Sequence, residues 1–166
     1  MLKAAFMNID TLIADLAKQL QLEDSLQLDE HGYLSLEVND TLVVNLQWHA
    51  ADEHLIIFSP LFKLPDDSEE PETLRKQNTL LKMLLGANLF WQETKGGTLS
   101  LDNDSGWLWL MDKYPFSVIA PAGVLSQRLL QHIETVKAYA EKGPEPAPAR
   151  KQVGDDSQVN NQWIQG

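Results

Sequence analysis

The segment Lys95–Met111, KGGTLSLDNDSGWLWLM, leaves few folds open to this chain. A Gly-Gly pair begins it, an Asp-Asn-Asp-Ser-Gly turn interrupts it, and apolar residues alternate on both sides of that turn. A two-residue period is the period of a strand. The segment therefore reads as a hairpin, with one strand over Gly97–Leu101 and a second over Trp107–Met111. On the second strand Trp107, Trp109 and Met111 share one face and Leu108 and Leu110 the other, so both faces need cover. Trp91 lies just upstream. Catalytic loops mix nucleophiles, bases and phosphate-binding glycines; apolar strand surface rich in tryptophan points instead to a protein interface.

The rest of the chain supplies what such a hairpin packs against. Ile9, Leu12, Ile13, Leu16 and Leu20 fall on one helical face, with Asn8 or Asp10 placed to cap it. YLSLEV then alternates Leu34, Leu36 and Val38 with polar residues, Asn39-Asp40 makes a tight turn, and TLVVNLQW puts Leu42, Val44, Leu46 and Trp48 on one face. The third strand, LIIFSPLFKL, is apolar on both faces, Ile57 and Leu61 opposing Ile56, Phe58 and Phe62. Pro60 cannot donate to a ladder, which predicts an edge or a bulge there.

A second helix begins near Pro71, with Glu69, Glu70 and Glu72 at its positive end. Leu74, Leu81, Leu84 and Leu85 share a face while Leu80 and Met83 lie outside it, so this helix is apolar on more than one side. After the hairpin, a third helix is expected over Pro121–Glu141, with Val124, Leu125, Leu129, Ile133, Val136 and Ala140 in register and Gly143 ending it. The order predicts an α+β fold, helices packed on an antiparallel twisted sheet in the order α-β-β-β-α-β-β-α. Residues 1–142 form the folded domain. Residues 143–166, rich in Pro, Gly and polar side chains, form a flexible tail.

Charge and composition exclude several functions. A chain of 166 residues with a net charge of −11 lacks the clustered cations that nucleic-acid binding requires. It has no cysteine, hence no disulfide framework or thiol chemistry. No apolar run approaches the ~20 residues of a membrane span, and no signal peptide is visible, so a soluble cytoplasmic protein is expected.

Neither a metal site nor a cofactor site is legible. His49 and His54 flank a turn at no recognised ligand spacing, and all four histidines (His31, His49, His54 and His132) read as surface or turn residues. A calcium loop over Asp102–Gly106 would need a glutamate where Lys113 stands, so a hairpin turn is the better reading. Gly96-Gly97 opens no phosphate loop, and no serine sits in a nucleophile elbow. The expected protein is not an enzyme.

The run from LLKMLLGANLF through KGGTLSLDNDSGWLWLMDKYPF, followed by an amphipathic helix, resembles the class I type III secretion chaperones of the Tir-chaperone family. The matching residues are Leu84, Ala87, Asn88, Leu89, Gly96, Gly97, Leu99, Leu101, Gly106, Leu108, Leu110 and Pro115, and the likeness extends over roughly residues 8–141. The tryptophans of the last strand are heavier than the family's usual leucines. The resemblance implies a non-enzymatic homodimer that binds the N-terminal segment of one or more secreted effectors. It would hold that segment secretion-competent and deliver it to the export apparatus, whose ATPase is a further expected partner. A same-fold module that sequesters a regulator or another chaperone is the alternative. On this reading the effector contacts are Leu12, Leu16, Ile56, Phe58 and Phe62, with Ile57 and Leu61 as mirror-image candidates on the other strand face. Leu81, Leu84, Leu85, Leu99 and Leu101 form the dimer seam.

Overall fold

A computed structural model describes residues 8–22, 24–38, 42–65 and 70–143. The expected turn at Asn39-Asp40, the acidic run Asp66–Glu69 and the tail from Pro144 onward lie outside the described residues. Helix α1 spans Ile9–Gln19, and Asn8 is its cap: its side-chain oxygen accepts the Thr11 amide at 2.8 Å. Strands β1 (Tyr33–Val38), β2 (Leu42–His49) and β3 (His54–Lys63) follow as an antiparallel meander. Helix α2 spans Pro71–Ala87 and runs into a 3-10 turn at Leu89–Trp91. The expected hairpin comprises β4 (Thr98–Leu101) and β5 (Trp107–Pro115). After β5 comes a short helix, α3 (Phe116–Ile119), that was not expected, and then the third expected helix, α4 (Val124–Ala140). Gly123, in the left-handed region at φ 82°, separates them.

The five strands stand in the order β1-β2-β3-β5-β4. The hairpin thus enters the sheet by its second strand, and β5 pairs along almost the whole of β3. This leaves β1 and β4 as the two edges. The described helices supply buried residues to one face only, forming two adjoining cores. Leu12, Ile13 and Leu16 of α1 meet Leu125, Leu129 and Ile133 of α4 over Val44, Leu46, Leu55 and Ile57. Leu84 and Ala87 of α2 meet Val136 and Tyr139 of α4 over Leu61, Phe62, Leu99, Leu108 and Leu110. Helix α4 therefore belongs to both cores.

Pro60 sits at a bulge in a central strand. It pairs with Trp109, the next paired residue is Phe62 opposite Leu108, and Leu61 is the extra residue between them. One inserted residue reverses the parity of everything after it. Leu61 and Phe62 consequently both point into the helix-covered core and are fully buried. The bulge expected at Pro60 is present, and it corrects the grouping of Phe62 with Ile56 and Phe58, which carries a strict two-residue period past the irregularity.

The apolar face expected on α2 divides between core and surface. Leu84, Ala87 and the half-buried Leu80 face the core. Leu74 and Leu85 are 49% and 70% exposed.

One polar network crosses between α4 and the sheet. His132 Nδ1 donates to Asp112 Oδ2 at 2.5 Å, and His132 Nε2 lies 3.0 Å from Ser59 Oγ. All three residues are buried. The other Asp112 oxygen accepts from the Tyr114 hydroxyl at 3.3 Å. Burial first, and the Asp112 charge second, push the Tyr114 phenol up to about 12, against the pull of the Arg128 guanidinium. Gly97 passes beside this carboxylate: a β-carbon there would stand 2.9 Å from Leu110 Cδ1 and 3.1 Å from Asp112 Oδ1. Close backbone approach thus explains the second glycine of the Gly-Gly pair.

Two predictions follow from this packing. Replacing His132 by Leu leaves the Asp112 carboxylate buried without its strongest partner and should cost about 3–5 kcal/mol. Adding Asp112→Leu to that variant should recover part of the loss, because no unpaired charge then remains, as urea unfolding would read. The bulge makes the second: Phe62→Ala should cost about 3–5 kcal/mol, as a core phenylalanine does. Phe58→Ala, on the opposite face, should cost about 1 kcal/mol.

Candidate functional site

The face of the sheet that the described helices leave uncovered carries an aromatic row. Tyr33 of β1, Phe58 of β3 and Trp109 of β5 follow one another across the strands, with ring centroids 6.4 Å apart for the first pair and 5.9 Å for the second. All three rings are half-buried, which they achieve by lying against one another. Their positions follow from strand parity. Tyr33 and Phe58 alternate with core leucines and isoleucines along β1 and β3, and Trp109 stands between Leu108 and Leu110. Ile56 and Met111 widen the row, Met111 lying directly opposite Phe58 in the register. The Tyr33 hydroxyl is satisfied by Asn45 Oδ1 at 2.5 Å, and burial raises its pKa. The row is thus aromatic, with the Asn45 amide of β2 set between Tyr33 and Phe58, and by register Gln47 and Lys113 flank Ile56 on the same face.

A second apolar surface lies along α2. Leu74, Leu81 and Leu85 form a stripe along α2 at helical spacing, and the 3-10 turn extends it with Leu89, Phe90 and Trp91. Phe90 is 76% exposed. Phe90 and Trp91 hold φ of 57° and 52°, a left-handed backbone that bulky residues adopt at a cost of about 1–3 kcal/mol each. The turn is held in place by its neighbours. Asn88 bonds both backbone groups of Leu99, its Oδ1 accepting the amide at 2.8 Å and its Nδ2 donating to the carbonyl at 3.0 Å. The Trp91 indole donates to Thr98 Oγ1 at 3.2 Å. Asn88 is therefore a staple between the end of α2 and the edge strand β4.

Against the expected site residues, the structure sorts as follows. Ile56 and Phe58 lie on the uncovered face. Leu12 and Leu16 do not: both are buried in the first core between α1, α4 and the sheet. Their regular spacing marks the side of α1 that packs, and an incoming segment cannot reach them while α1 is docked. Phe62 is buried by the bulge, and the mirror-image pair Ile57 and Leu61 is core as well. In the seam set, Leu85 and Leu101 are exposed, Leu81 is half-buried, and Leu84 and Leu99 lie beneath them in the second core. Sequence reasoning passed over Tyr33, whose strand parity with Ser35 and Glu37 disguised it among polar neighbours.

His132 is not the surface or turn histidine expected from the sequence. It faces the sheet from α4 because its position, beside Leu129, Ile133 and Val136, is on the packed side of that helix. Ser59, His132 and Asp112 stand in the order of nucleophile, base and orienting carboxylate. Ser59 nevertheless has no exposed surface, so no substrate carbonyl can approach its hydroxyl. The trio joins elements and does not form an open site. Among the described residues no three His, Asp or Glu side chains converge where a metal ion would sit. Asp102 closes the hairpin turn: its carboxylate accepts the Ser105 hydroxyl and the Asp104 amide, which together hold its pKa down. None of the described helices is long and apolar enough to cross a membrane.

Comparison with known proteins places this architecture. The family model described as Tir chaperone protein matches residues 11–141. A protein of Chlamydia pneumoniae is 28% identical over 96 residues, covering 58% of this chain and 68% of that one. Among solved structures, a chain of the HopA1–SchA chaperone–effector complex superposes with a TM-score of 0.61 at 22% identity, covering 79% of this chain and 91% of that one. The Yersinia pestis type III secretion chaperone SycH, solved with a fragment of YscM2, gives a TM-score of 0.56 at 19% identity, over 78% of this chain and 98% of the other. The family match spans the α+β domain from α1 to the end of α4, and the chain belongs to the Tir chaperone protein family.

Proposed function

We propose that the protein is a type III secretion chaperone, working in the bacterial cytoplasm. It binds the N-terminal segment of one or more effectors as an extended chain and hands it to the export apparatus. The observation that carries this reading is the uncovered face with its row Tyr33–Phe58–Trp109, in a member of this family. A chain segment that is not yet folded loses ordering entropy on binding, and it recovers free energy by burying apolar side chains over a large, preformed surface. An aromatic row already in place on a sheet face is preformed for such side chains. Ile56 and Phe58 are the contacts retained from the sequence reading, joined by Tyr33, Trp109 and Met111. The protein's part in this is binding alone, without catalysis.

The experiment is partner co-purification. Phe58→Asp and Trp109→Ser should leave the melting temperature within a few degrees of the parent and reduce effector capture at least tenfold. Full capture by both stable variants would remove the sheet face from the site.

The chaperone acts as a two-fold dimer through Leu81 and Leu85 of the α2 stripe and Leu101 of β4, with Leu84 and Leu99 in the core behind them. An isologous seam of this kind uses the same patch twice. Light scattering should give twice the 18.7 kDa of one chain. Leu85→Glu should yield monomer or aggregate, because a charge desolvated without a partner costs several kcal/mol.

A further inference from the structure

Helix α2 has a third side, used by neither the second core nor the leucine stripe. Glu72, Lys76, Thr79 and Met83 follow one another along it at helical spacing, and it faces the end of α4. Between the two helices runs an open groove of about 400 Å³, floored by Leu80 and Met83 and rimmed by Arg75, Lys76 and Lys142. In a chain of net charge −11 this is an unusual gathering of cations. Lys76 is paired with Glu72 at 2.8 Å. Arg75 and Lys142 have no carboxylate partner among the described residues, and the Lys142 ammonium instead lies over the Tyr139 ring, 4.3 Å from its centroid. The groove thus offers an apolar floor with positive charge at the rim.

The chain itself continues from the rim. Gly143 follows Lys142 directly and lies so close to the Phe62 ring that a β-carbon would overlap it. From there run residues 144–166, which contain the acidic pair Asp155-Asp156 and, seven residues later, the apolar pair Trp163-Ile164. The thirteen residues from Lys142 to Asp155 span up to ~45 Å when extended, ample to turn back to a groove beside their own origin.

We propose that the groove between α2 and the end of α4 is the docking site of this chain's own segment Asp155–Ile164, with Trp163 on the Leu80–Met83 floor and the aspartates against Arg75 and Lys142. Charge complementarity selects the orientation, and tethering keeps the local concentration of the segment high even when each contact is weak. The docked segment would cover the exposed Met83. It would also lie next to the dimer stripe without occupying it.

The chain has no cysteine, so Gln162→Cys creates a single position for a nitroxide label. The measurement is methyl NMR of methionine, comparing Met83 in the groove with Met111 on the aromatic sheet face. Docking predicts that the label broadens the Met83 methyl beyond detection while Met111 stays sharp. The double variant Arg75→Glu/Lys142→Glu, at two exposed positions, should restore the Met83 signal, as should Trp163→Ala. A sharp Met83 in the labelled parent overturns the proposal, as does broadening of Met111 instead. Mixing spin-labelled chains with isotope-labelled chains that carry no nitroxide checks the tether. Broadening of Met83 in the second population would assign the segment to a neighbouring copy and overturn docking within one chain.

Discussion

The hydrogen-bonded trio Ser59–His132–Asp112 is the constraint on which the arrangement of layers depends. It joins one helix to two strands that are far apart in sequence, β3 and β5. Because α4 contributes to both cores, the placement of His132 sets where Leu129 and Ile133 meet α1 and where Val136 and Tyr139 meet α2. Apolar contacts alone tolerate sliding of a helix along a sheet, since one leucine pocket resembles the next. A buried carboxylate tolerates no such slide, because each ångström away from its imidazole leaves charge without a partner in a poorly polarisable interior. The network therefore contributes register more than net stability.

From that register follows the division of the sheet into a covered and an uncovered face. With α1, α2 and α4 on one side, the described part of the chain has no element left for the other. The uncovered face is not simply polar, as it is in many half-buried sheets. Tyr33, Phe58 and Trp109 cross it in a row, partly sheltering one another. Soluble chains seldom leave a surface of this kind exposed unless something binds it. The acidic balance of the whole chain opposes self-association of such a surface by charge repulsion, so an aromatic binding face and a high net negative charge are complementary features.

The second exposed surface has a different physical character. Along α2 and its 3-10 turn, leucines are presented by a helix, and two bulky residues are held in left-handed backbone. The Asn88–Leu99 staple and the Trp91–Thr98 bond supply the compensation that keeps this turn formed. Strain retained where large apolar side chains face outward is what a preformed contact surface requires, because the ordering cost is met before the partner arrives.

Local chemistry determined much of this protein before any tertiary contact. The strands, their alternation, the cap at Asn8, the Asp-Asn-Asp-Ser-Gly turn and the α+β class all follow from residues close together in the sequence. The same holds for the motif order that marks the family. Even the disturbance at Pro60 was legible, since a missing amide is a local fact. Its consequence was not. Whether a proline makes an edge or a bulge depends on which strand lies alongside, and only the insertion of β5 beside β3 made it a bulge and turned Phe62 inward. Likewise the leucines of α1 and α2 announced amphipathic helices without saying which leucines would be core. Leu12 and Leu16 went inside, and Leu85 stayed out. The partnership of His132 with Asp112 spans twenty residues across a helix–sheet boundary, and no spacing rule encodes it. Periodicity reports how side chains are distributed around an element; which of those sides meets another layer is decided only when the layers pack.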